Sequence, residues 1–319
     1  MNQNIYILIE HLQGKVAEIS YIMIAAARDL AKETGGEVVA VLLGQNAKSL
    51  ASDLATDRVL YTDHVALAEF TADAYQKTVA SLIQENEPRA FLFGNTSIGA
   101  DVASVISARL SLPLISSCIE INGGKLTSKI CGGKIMAENE LAEATTLVTM
   151  IPGGYKAEEG QSENPPEVLS FDAPALDELR VTLKEYIVPE AGDVDISKEA
   201  ILIAIGRGIQ TEDNIELAEE LAEFLGGTVC SSRPIVDQGW LPTSRMVGKS
   251  GLSVKPKLYL ALGISGAPEH VEGMAESEMI VAVNMDPNAP IFDIATYGVE
   301  FDFFDLIDPL LEQLEEIKG

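Results

Sequence analysis

The sequence of 319 residues predicts an α/β fold made of two doubly wound domains. Two observations predict this class. Short apolar runs alternate with segments whose apolar residues recur at helical spacing, which is typical of a parallel sheet with helices on both faces. A stretch rich in Pro, Gly and acidic residues interrupts this alternation, which then starts again. We therefore predict an N-terminal domain over 1–188, a linker or hinge over 189–199 and a smaller, Rossmann-like C-terminal domain over 200–319.

The N-terminal half begins with the apolar strand IYILIE, followed by a helix. The helical face has the spacing i, i+3, i+4, i+7 and consists of Ile19, Ile22, Met23, Ala26, Ala27 and Leu30. Gly35 and Gly36 end this helix, and EVVAVLLG is the next buried strand. RVLYTD, TADAYQKTVASLIQ, AFLFGN and SIGADVASVISARL continue the alternation. From about Leu114 to Ile151, short runs around Gly-Gly pairs predict β-hairpins.

The C-terminal half restarts with AILIAIGRG, an apolar strand that runs into a glycine turn. The helical face that follows consists of Ile215, Ala218, Leu221, Ala222 and Leu225, and Gly226-Gly227 closes it. KLYLALG, MIVAVN and FDFFDLI are predicted as further strands. The last helix, PLLEQLEEI, is predicted to begin with Asp308 as its N-cap and Pro309 as its first residue.

Composition excludes several classes of partner. Acidic residues outnumber basic ones by 49 to 22, a formal net charge of -27, which argues against nucleic acid and anionic membrane surfaces. The apolar stretches are shorter than the roughly 20 residues that span a bilayer, so the protein is not expected to be membrane-embedded. The N-terminus has no basic region before its apolar run. We therefore expect no signal peptide and a cytoplasmic protein or, in a eukaryote, a processed matrix protein.

Metal-dependent and hydrolytic chemistry are weakly supported. The thiols and imidazoles are scattered along the chain: Cys118, Cys131, Cys230, His11, His64 and His270. No zinc or iron site is expected from such spacing. No G-x-S-x-G elbow is present, so a Ser-His-Asp hydrolase has little support.

Three turns follow strands of the C-terminal half, where parallel sheets bind ligands. They are GRG at 206–208, ISGAPEH with Ser265, Gly266 and His270, and AVNMDPNAP with Asn284. GRG lacks the G-x-G-x-x-G spacing of a dinucleotide fingerprint. Each turn is either a phosphate site or simply a tight connection, and turn chemistry alone accounts best for the third.

A long irregular stretch, CSSRPIVDQGWLPTSRMVGKSG, lies between the first two turns. Long loops inside compact domains are usually functional. Arg233, Arg245 and Lys249 concentrate positive charge here in an otherwise acidic chain, which predicts an anionic ligand.

The run LYLALGISGAPEHVEGMAESEMIVAVNMDPNAPIFDIATYGVEFDFFDLI closely resembles the C-terminal signature of the electron-transfer flavoprotein alpha subunit. The resemblance extends back through GRGIQTEDN and covers Ile201 to Leu314; ILIEH near the N-terminus fits less specifically. It implies an FAD-carrying subunit that is not itself an enzyme and has no catalytic residue. A beta subunit, contacted by the N-terminal domain as a scaffold, would complete a heterodimer. Electrons would come from a dehydrogenase and pass to a quinone oxidoreductase or another acceptor.

Matched position by position, the resemblance implies a set of FAD contacts. Those along the phosphates and the ribityl chain are Arg207, Ser265, Gly266, Ala267, Pro268 and Glu269. Those at the isoalloxazine are Ser232, Arg233, Val247, Gly248, Lys249, Ser250 near flavin N5, and His270 on the O2 side. Those at the adenosine end are Asn284, Asp302 and Phe303. A fixed guanidinium and an imidazole would stabilise negative charge on a reduced flavin.

The chain departs from the family pattern at two places. Pro268-Glu269 replaces the usual Ile-Gln pair, and Lys249 replaces Gln in the loop that commonly reads VGQTG. At ~4 Å and an effective dielectric of about 20, one charge is worth roughly 4 kcal/mol, so a carboxylate would oppose an anionic flavin. We hypothesise that Glu269 and Lys249 form a compensating pair; the alternative is that Glu269 faces solvent.

Two other functions stay open. Within the family, the chain could be the alpha subunit of an electron-bifurcating complex that binds NADH mainly through its beta subunit. Outside the family, the N-terminal half alone fits a nucleotide-dependent α/β enzyme.

Overall fold

The computed structural model describes residues 2–131, 134–186 and 194–318. The chain divides into two compact units, Met1–Glu185 and Tyr186–Gly319. Of the predicted linker, residues 189–193 lie outside the described residues, and the remainder contains a short 3-10 turn, Ile196–Lys198. The linker and the exact domain bounds therefore stay predictions.

Unit 1 alternates strands and helices much as the hydrophobic pattern predicts. Its strands are β1 (Ile5–Leu8), β2 (His11–Leu12), β3 (Lys15–Val16), β4 (Val38–Gly44), β5 (Arg58–Asp63), β6 (Ala90–Gly94), β7 (Leu114–Asn122), β8 (Lys125–Ile130), β9 (Ile135–Glu140), β10 (Thr146–Met150) and β11 (Glu167–Ser170). Its helices are α1 (Glu18–Thr34), α2 (Ala72–Asn86) and α3 (Ser97–Leu110).

A sheet of nine strands in the order β11-β5-β4-β1-β6-β10-β7-β8-β9 forms the centre of unit 1. Its neighbours pair in parallel from β11 to β7, and β7, β8 and β9 pair antiparallel. The predicted hairpins are thus confirmed for β7–β9, whereas β10 is a buried parallel strand. One apolar cluster packs α1 on one face, and a second packs α2 and α3 on the other. This is the doubly wound arrangement expected from the sequence.

Unit 2 repeats the pattern on a smaller scale. Its strands are β12 (Ile201–Ile205), β13 (Thr228–Ser231), β14 (Leu258–Leu262), β15 (Ile280–Asn284) and β16 (Tyr297–Glu300). Its helices are α4 (Ile215–Leu225), α5 (Arg233–Asp237), α6 (Pro268–Val271) and α7 (Phe303–Lys318). No helix of the described residues is long and apolar enough to cross a bilayer.

The sheet of unit 2 is parallel throughout, in the order β13-β12-β14-β15-β16. The first strand in sequence therefore has the second on one side and the third on the other. Such a reversal of strand order opens a crevice at the carboxyl ends of the two central strands, where ligands bind in this class of fold. In unit 2 that point lies between β12 and β14.

Two predictions about the C-terminus are wrong. FDFFDLI is not a strand, because the edge strand β16 ends at Glu300 and α7 already begins at Phe303. Asp302 caps the helix, since its Oδ1 accepts the Phe304 N–H at 3.0 Å. Pro309, the expected first residue, lies inside the helix. Phe303 and Ile307 are buried four residues apart and form one helical face.

Candidate functional site

The carboxyl edge of the unit 2 sheet gathers residues that the sequence separates widely. One predicted site residue follows each strand: Ser232 after β13, Arg207 after β12, Ser265 after β14, Asn284 at the end of β15 and Asp302 after β16. Because all five strands run parallel, these positions lie along one edge. Four spacings of about 4.8 Å make that edge roughly 19 Å long, enough for an extended dinucleotide.

At the centre of the edge, the turns after β12 and β14 pack backbone against backbone. The Gly206 N–H donates to the Leu262 carbonyl at 2.9 Å, and the Gly208 N–H donates to the Gly263 carbonyl at 3.1 Å. A Cβ on Gly208 would lie 2.6 Å from the Gly263 Cα, so no larger residue fits there without a shift. Arg207 stands exposed between these glycines, at the reversal of strand order.

Backbone hydrogen bonds join the loop 247–250 to α6 and to the end of β13. The Lys249 N–H donates to the Glu269 carbonyl at 2.7 Å, and the Val247 N–H donates to the Ser231 carbonyl at 2.9 Å. Gly248 has a φ of +133°, and a Cβ there would lie 2.7 Å from the Glu269 carbonyl oxygen. The two sequence motifs VGKS and APEH therefore form one surface, although about twenty residues separate them.

We hypothesised an ion pair between Lys249 and Glu269, but among the described residues Lys249 pairs with Glu272 instead. The Lys249 Nζ lies 3.6 Å from Oε2 of Glu272, and the Glu269 side chain is exposed. The reason is local geometry: the Lys249 backbone is bonded to the Glu269 carbonyl, and the carboxylate within reach of the ammonium belongs to the residue three positions later. This arrangement agrees with the alternative that Glu269 faces solvent.

His270 is buried, with 6% of its surface exposed. Its Nδ1 lies 3.1 Å from the Val247 carbonyl, and its Nε2 lies 2.9 Å from the Tyr259 hydroxyl. A carbonyl only accepts, so Nδ1 carries the proton, and Nε2 accepts from Tyr259. Burial lowers the pKa of His270 to about 4, which keeps the ring neutral near pH 7. Both ring nitrogens already have partners in this arrangement, a fact that the sequence did not indicate.

The isoalloxazine residues predicted after β13 differ in exposure. Ser232 is buried, and its hydroxyl lies 3.4 Å from the Ile205 carbonyl as a long hydrogen bond. Arg233 is exposed at the start of α5, where its Nε lies 3.3 Å from Oδ2 of Asp237. Ser250 is exposed beside Lys249. These side chains offer a cation and a hydroxyl to a ligand on the edge.

At the β15–β16 end of the edge, Asn284 connects the end of β15 to the turn after β14 by hydrogen bonds. Its Nδ2 donates to the Ile264 carbonyl at 2.8 Å, and its Oδ1 accepts the Asp286 N–H at 3.0 Å. Phe303, the first residue of α7, is 5% exposed and packs in the core of unit 2, so little of its ring lines the edge. The exposed aromatic residue here is Phe301, at 48%, which the sequence prediction passed over.

The side chains of this edge fit an anionic dinucleotide. The cations Arg207, Arg233 and Lys249 lie at its β13–β12–β14 side in a chain of formal net charge -27. The exposed hydroxyls of Ser250 and Ser265 and the backbone N–H groups of the turns add uncharged donors. Within the described ranges, no group of three or more His, Cys, Asp and Glu residues is arranged to hold a metal ion.

Comparison with known proteins identifies the family. An electron transfer flavoprotein domain matches residues 5–176, and an electron transfer flavoprotein FAD-binding domain matches residues 195–275. The chain is 33% identical over 325 residues to electron transfer flavoprotein subunit alpha of Bacillus subtilis, covering 100% of this chain and 99% of the relative. The subunit alpha of Thermoanaerobacterium thermosaccharolyticum is 35% identical over 326 residues, with 99% of both chains covered.

A third relative carries a different name. The chain is 32% identical over 326 residues to the LctC subunit of lactate dehydrogenase (NAD(+),ferredoxin) from Acetobacterium woodii, covering 98% of this chain and 77% of the relative. The matches to both domains and to relatives over their full length establish the assignment. This chain belongs to the electron transfer flavoprotein family as an alpha subunit, and FAD is its cofactor.

Proposed function

We propose that this chain holds FAD along the carboxyl edge of its unit 2 sheet and serves as an electron carrier. Paired with a beta subunit, it takes electrons from a dehydrogenase and passes them to a quinone oxidoreductase or another acceptor. The observation that carries this proposal is the single edge on which the residues after all five strands converge, with a cation at the reversal point. The bound flavin supplies the redox chemistry, and the protein supplies position and electrostatics.

In this proposal, different residues along the edge would bind different parts of FAD. Arg207 neutralises the pyrophosphate where the strand order reverses, and the turn from Ser265 to Ala267 offers it backbone N–H groups. Arg233, Lys249 and Ser250 would hold the isoalloxazine, and the two cations would favour negative charge on the reduced ring. Asn284 and Asp302 would hold the adenosine.

His270 acts in this proposal by holding the loop. Its Nδ1–H donates to the Val247 carbonyl and so fixes the start of the loop that contains Lys249 and Ser250. Because burial lowers its pKa, the ring stays neutral and adds no charge of its own near pH 7. Its predicted contact with flavin O2 would require one of its two present partners to be exchanged.

A second function within the family has one observation in its favour. The relative from Acetobacterium woodii is a subunit of a lactate dehydrogenase named for both NAD(+) and ferredoxin. An alpha subunit in such a complex would still carry FAD, and NADH would bind mainly to the beta subunit. Reduction of the heterodimer by NADH, with ferredoxin as a second acceptor, would favour this function over simple transfer.

Flavin content tests the proposal. We expect the chain, purified with its beta subunit, to show flavin absorption and to release FAD on denaturation. Substitutions in unit 2 show whether this FAD is bound there. Arg207→Ala should weaken FAD binding at least tenfold, because the variant loses a charge-assisted bond to the pyrophosphate. Arg109→Ala, which removes an exposed arginine from α3 in unit 1, is the matched control and should leave affinity unchanged. A heterodimer without flavin, or an equal effect of both variants, would contradict the proposal.

A further inference from the structure

Unit 1 contains a cavity of about 790 Å³ on the side of its sheet that α2 and α3 cover. The lining residues lie within 73–77 of α2, 105–109 of α3 and the segment 178–180 that follows β11, so all of them belong to unit 1. Ligand cavities in proteins have volumes of roughly 300–1,000 Å³, so this one has room for a small organic molecule.

Hydrogen bonds hold the segment 178–180 against α2 as one wall of the cavity. The Arg180 N–H donates to Asp73 Oδ2 at 2.8 Å, and Nη2 of the same arginine donates to Oδ1 at 3.1 Å. The Lys77 Nζ donates to the Glu178 carbonyl at 2.7 Å. Because these bonds join the wall to a regular helix, the cavity is already formed in this arrangement.

Gln76 is a polar residue of this lining whose side chain lacks a protein partner. It is 6% exposed, yet its amide makes no hydrogen bond to any other described residue. Buried amides are nearly always hydrogen-bonded, because an unmade bond costs free energy. The amide of Gln76 therefore offers a donor and an acceptor to a polar group inside the cavity.

The charge of the lining is reversed relative to the chain. Lys77, Arg109 and Arg180 stand against Asp73 and Glu178, a local net charge of +1 in a chain of formal net charge -27. Arg109 is exposed, and its side chain has neither an ion pair nor a hydrogen bond among the described residues. Lys77 and Arg180 retain further N–H donors beyond those already used. Such a lining attracts an anion.

Apolar surface lies beside these cations. Val105 on α3 is 37% exposed, and Leu179 is partly buried against the apolar cluster that packs α2 and α3. Both residues line the cavity. A bare inorganic anion would leave this surface in water, whereas an apolar group attached to the anion would cover it.

We propose that this cavity binds a small organic anion, a carboxylate or a phosphate monoester carried on a compact apolar body. Arg109 binds the anionic group, and Lys77 and Arg180 contribute further donors. The apolar body packs on Val105 and Leu179. The site involves no redox step and does not depend on FAD, so it gives unit 1 a ligand of its own in addition to its role as a scaffold.

Ligand-observed NMR of the heterodimer with its FAD bound tests the site, with phenyl phosphate, benzoate, benzyl alcohol and inorganic phosphate as probes. We expect phenyl phosphate or benzoate to bind, and the tighter of the two identifies the head group. Benzyl alcohol lacks the charge and inorganic phosphate lacks the apolar body, so each should bind at least about tenfold more weakly than that probe.

Arg109→Ala should weaken binding of the tighter probe about tenfold, because the probe loses a charge-assisted hydrogen bond, and Arg109→Lys should retain most of the affinity. Gln76→Leu should weaken binding by a smaller factor, since it removes an uncharged partner. Lys129→Ala is the matched control. It removes an exposed cation from β8, outside the cavity lining, and should leave the affinity unchanged.

Three results would overturn the inference. The first is that neither anion binds the heterodimer at millimolar concentration. The second is that benzyl alcohol or inorganic phosphate binds as tightly as the better anion. The third is that Arg109→Ala leaves the affinity unchanged or affects it no more than Lys129→Ala does, which would place the probe elsewhere on the protein.

Discussion

His270 shows how a residue in a binding motif can have a structural task that spacing does not reveal. The sequence places it in a glycine-rich turn, where an exposed imidazole would be expected to meet the ligand. In the structure it is buried, and it joins Tyr259 on β14 to the Val247 carbonyl in the neighbouring loop. These partners precede His270 by 11 and 23 residues, and no sequence pattern links them to it, so only the tertiary structure reveals them.

Burial of a neutral His270 predicts how the stability of unit 2 depends on pH. Its pKa falls from 6.5 to about 4 on folding, so between these values the unfolded chain binds a proton that the folded chain does not. Stability from this group is complete above about pH 6.5 and is lost as pH falls towards 4, by about 3 kcal/mol in all.

His270→Gln should remove that part of the pH dependence, because an amide does not titrate. Trp240 is the single tryptophan of the chain and packs against the core of unit 2, so its fluorescence in urea unfolding reports on this unit. The variant should be less stable than wild type at pH 7 and lose less stability on acidification to pH 4.5. Identical slopes for the two proteins would refute a buried neutral His270.

At the scale of elements, hydrophobic periodicity located most strands and helices of unit 1 and the helix α4. The failures lie where two patterns overlap. FDFFDLI contains enough aromatic residues for a strand, but Phe303 and Ile307 also lie four apart on one helical face, and the cap at Asp302 selects the helix. The end of β13 and the whole of α5 were assigned to a long loop, because four- and five-residue elements carry too short a pattern.

The start of α7 can be tested with three substitutions. Pro309→Ala should stabilise unit 2 by roughly 1–3 kcal/mol, because a proline inside a helix lacks an N–H donor and crowds the preceding turn. Asp302→Ala should cost about 1 kcal/mol as the loss of an N-cap, and Asp308→Ala should have little effect.

The same urea transition, followed by Trp240 fluorescence in the absence of flavin, measures all three variants. A helix that began at Pro309 would give the reverse pattern: little gain from Pro309→Ala and a loss at Asp308.

The position of the candidate site could be predicted in outline, because the order of strands and turns determines which residues lie at the carboxyl edge of the sheet. Glycine turns after strands and a local reversal of charge indicate the carboxyl edge and an anionic ligand from sequence alone. The partners of individual side chains were not predictable. Lys249 pairs with Glu272, and Phe301 is exposed rather than Phe303. The first outcome depends on the geometry of the short helix α6 and the second on where α7 begins, and the sequence pattern resolves neither.

At the scale of the whole molecule, the two units share an architecture but differ at the reversal of strand order. In unit 1 that point lies between β1 and β6, and the buried carboxyl of Glu10 fills it. The Thr96 hydroxyl donates to Glu10 Oε2 at 2.8 Å, and a Cβ on Gly99 would lie 2.7 Å from Oε1. Burial raises the pKa of Glu10 to about 7. A phosphate would meet an acidic group there instead of a cation, so we expect a single dinucleotide site, in unit 2.

Hydrogen–deuterium exchange of the heterodimer, with FAD bound and with FAD removed, tests whether unit 2 holds the cofactor. We expect FAD to protect the turns at the carboxyl edge of unit 2, in the segments 206–210, 231–233, 247–250, 263–267, 284–286 and 301–302. The edge of unit 1 around Glu10 and Thr96 should exchange equally in both states. Protection of that unit 1 edge by FAD, with the unit 2 turns unchanged, would contradict the assignment of the cofactor to the C-terminal sheet.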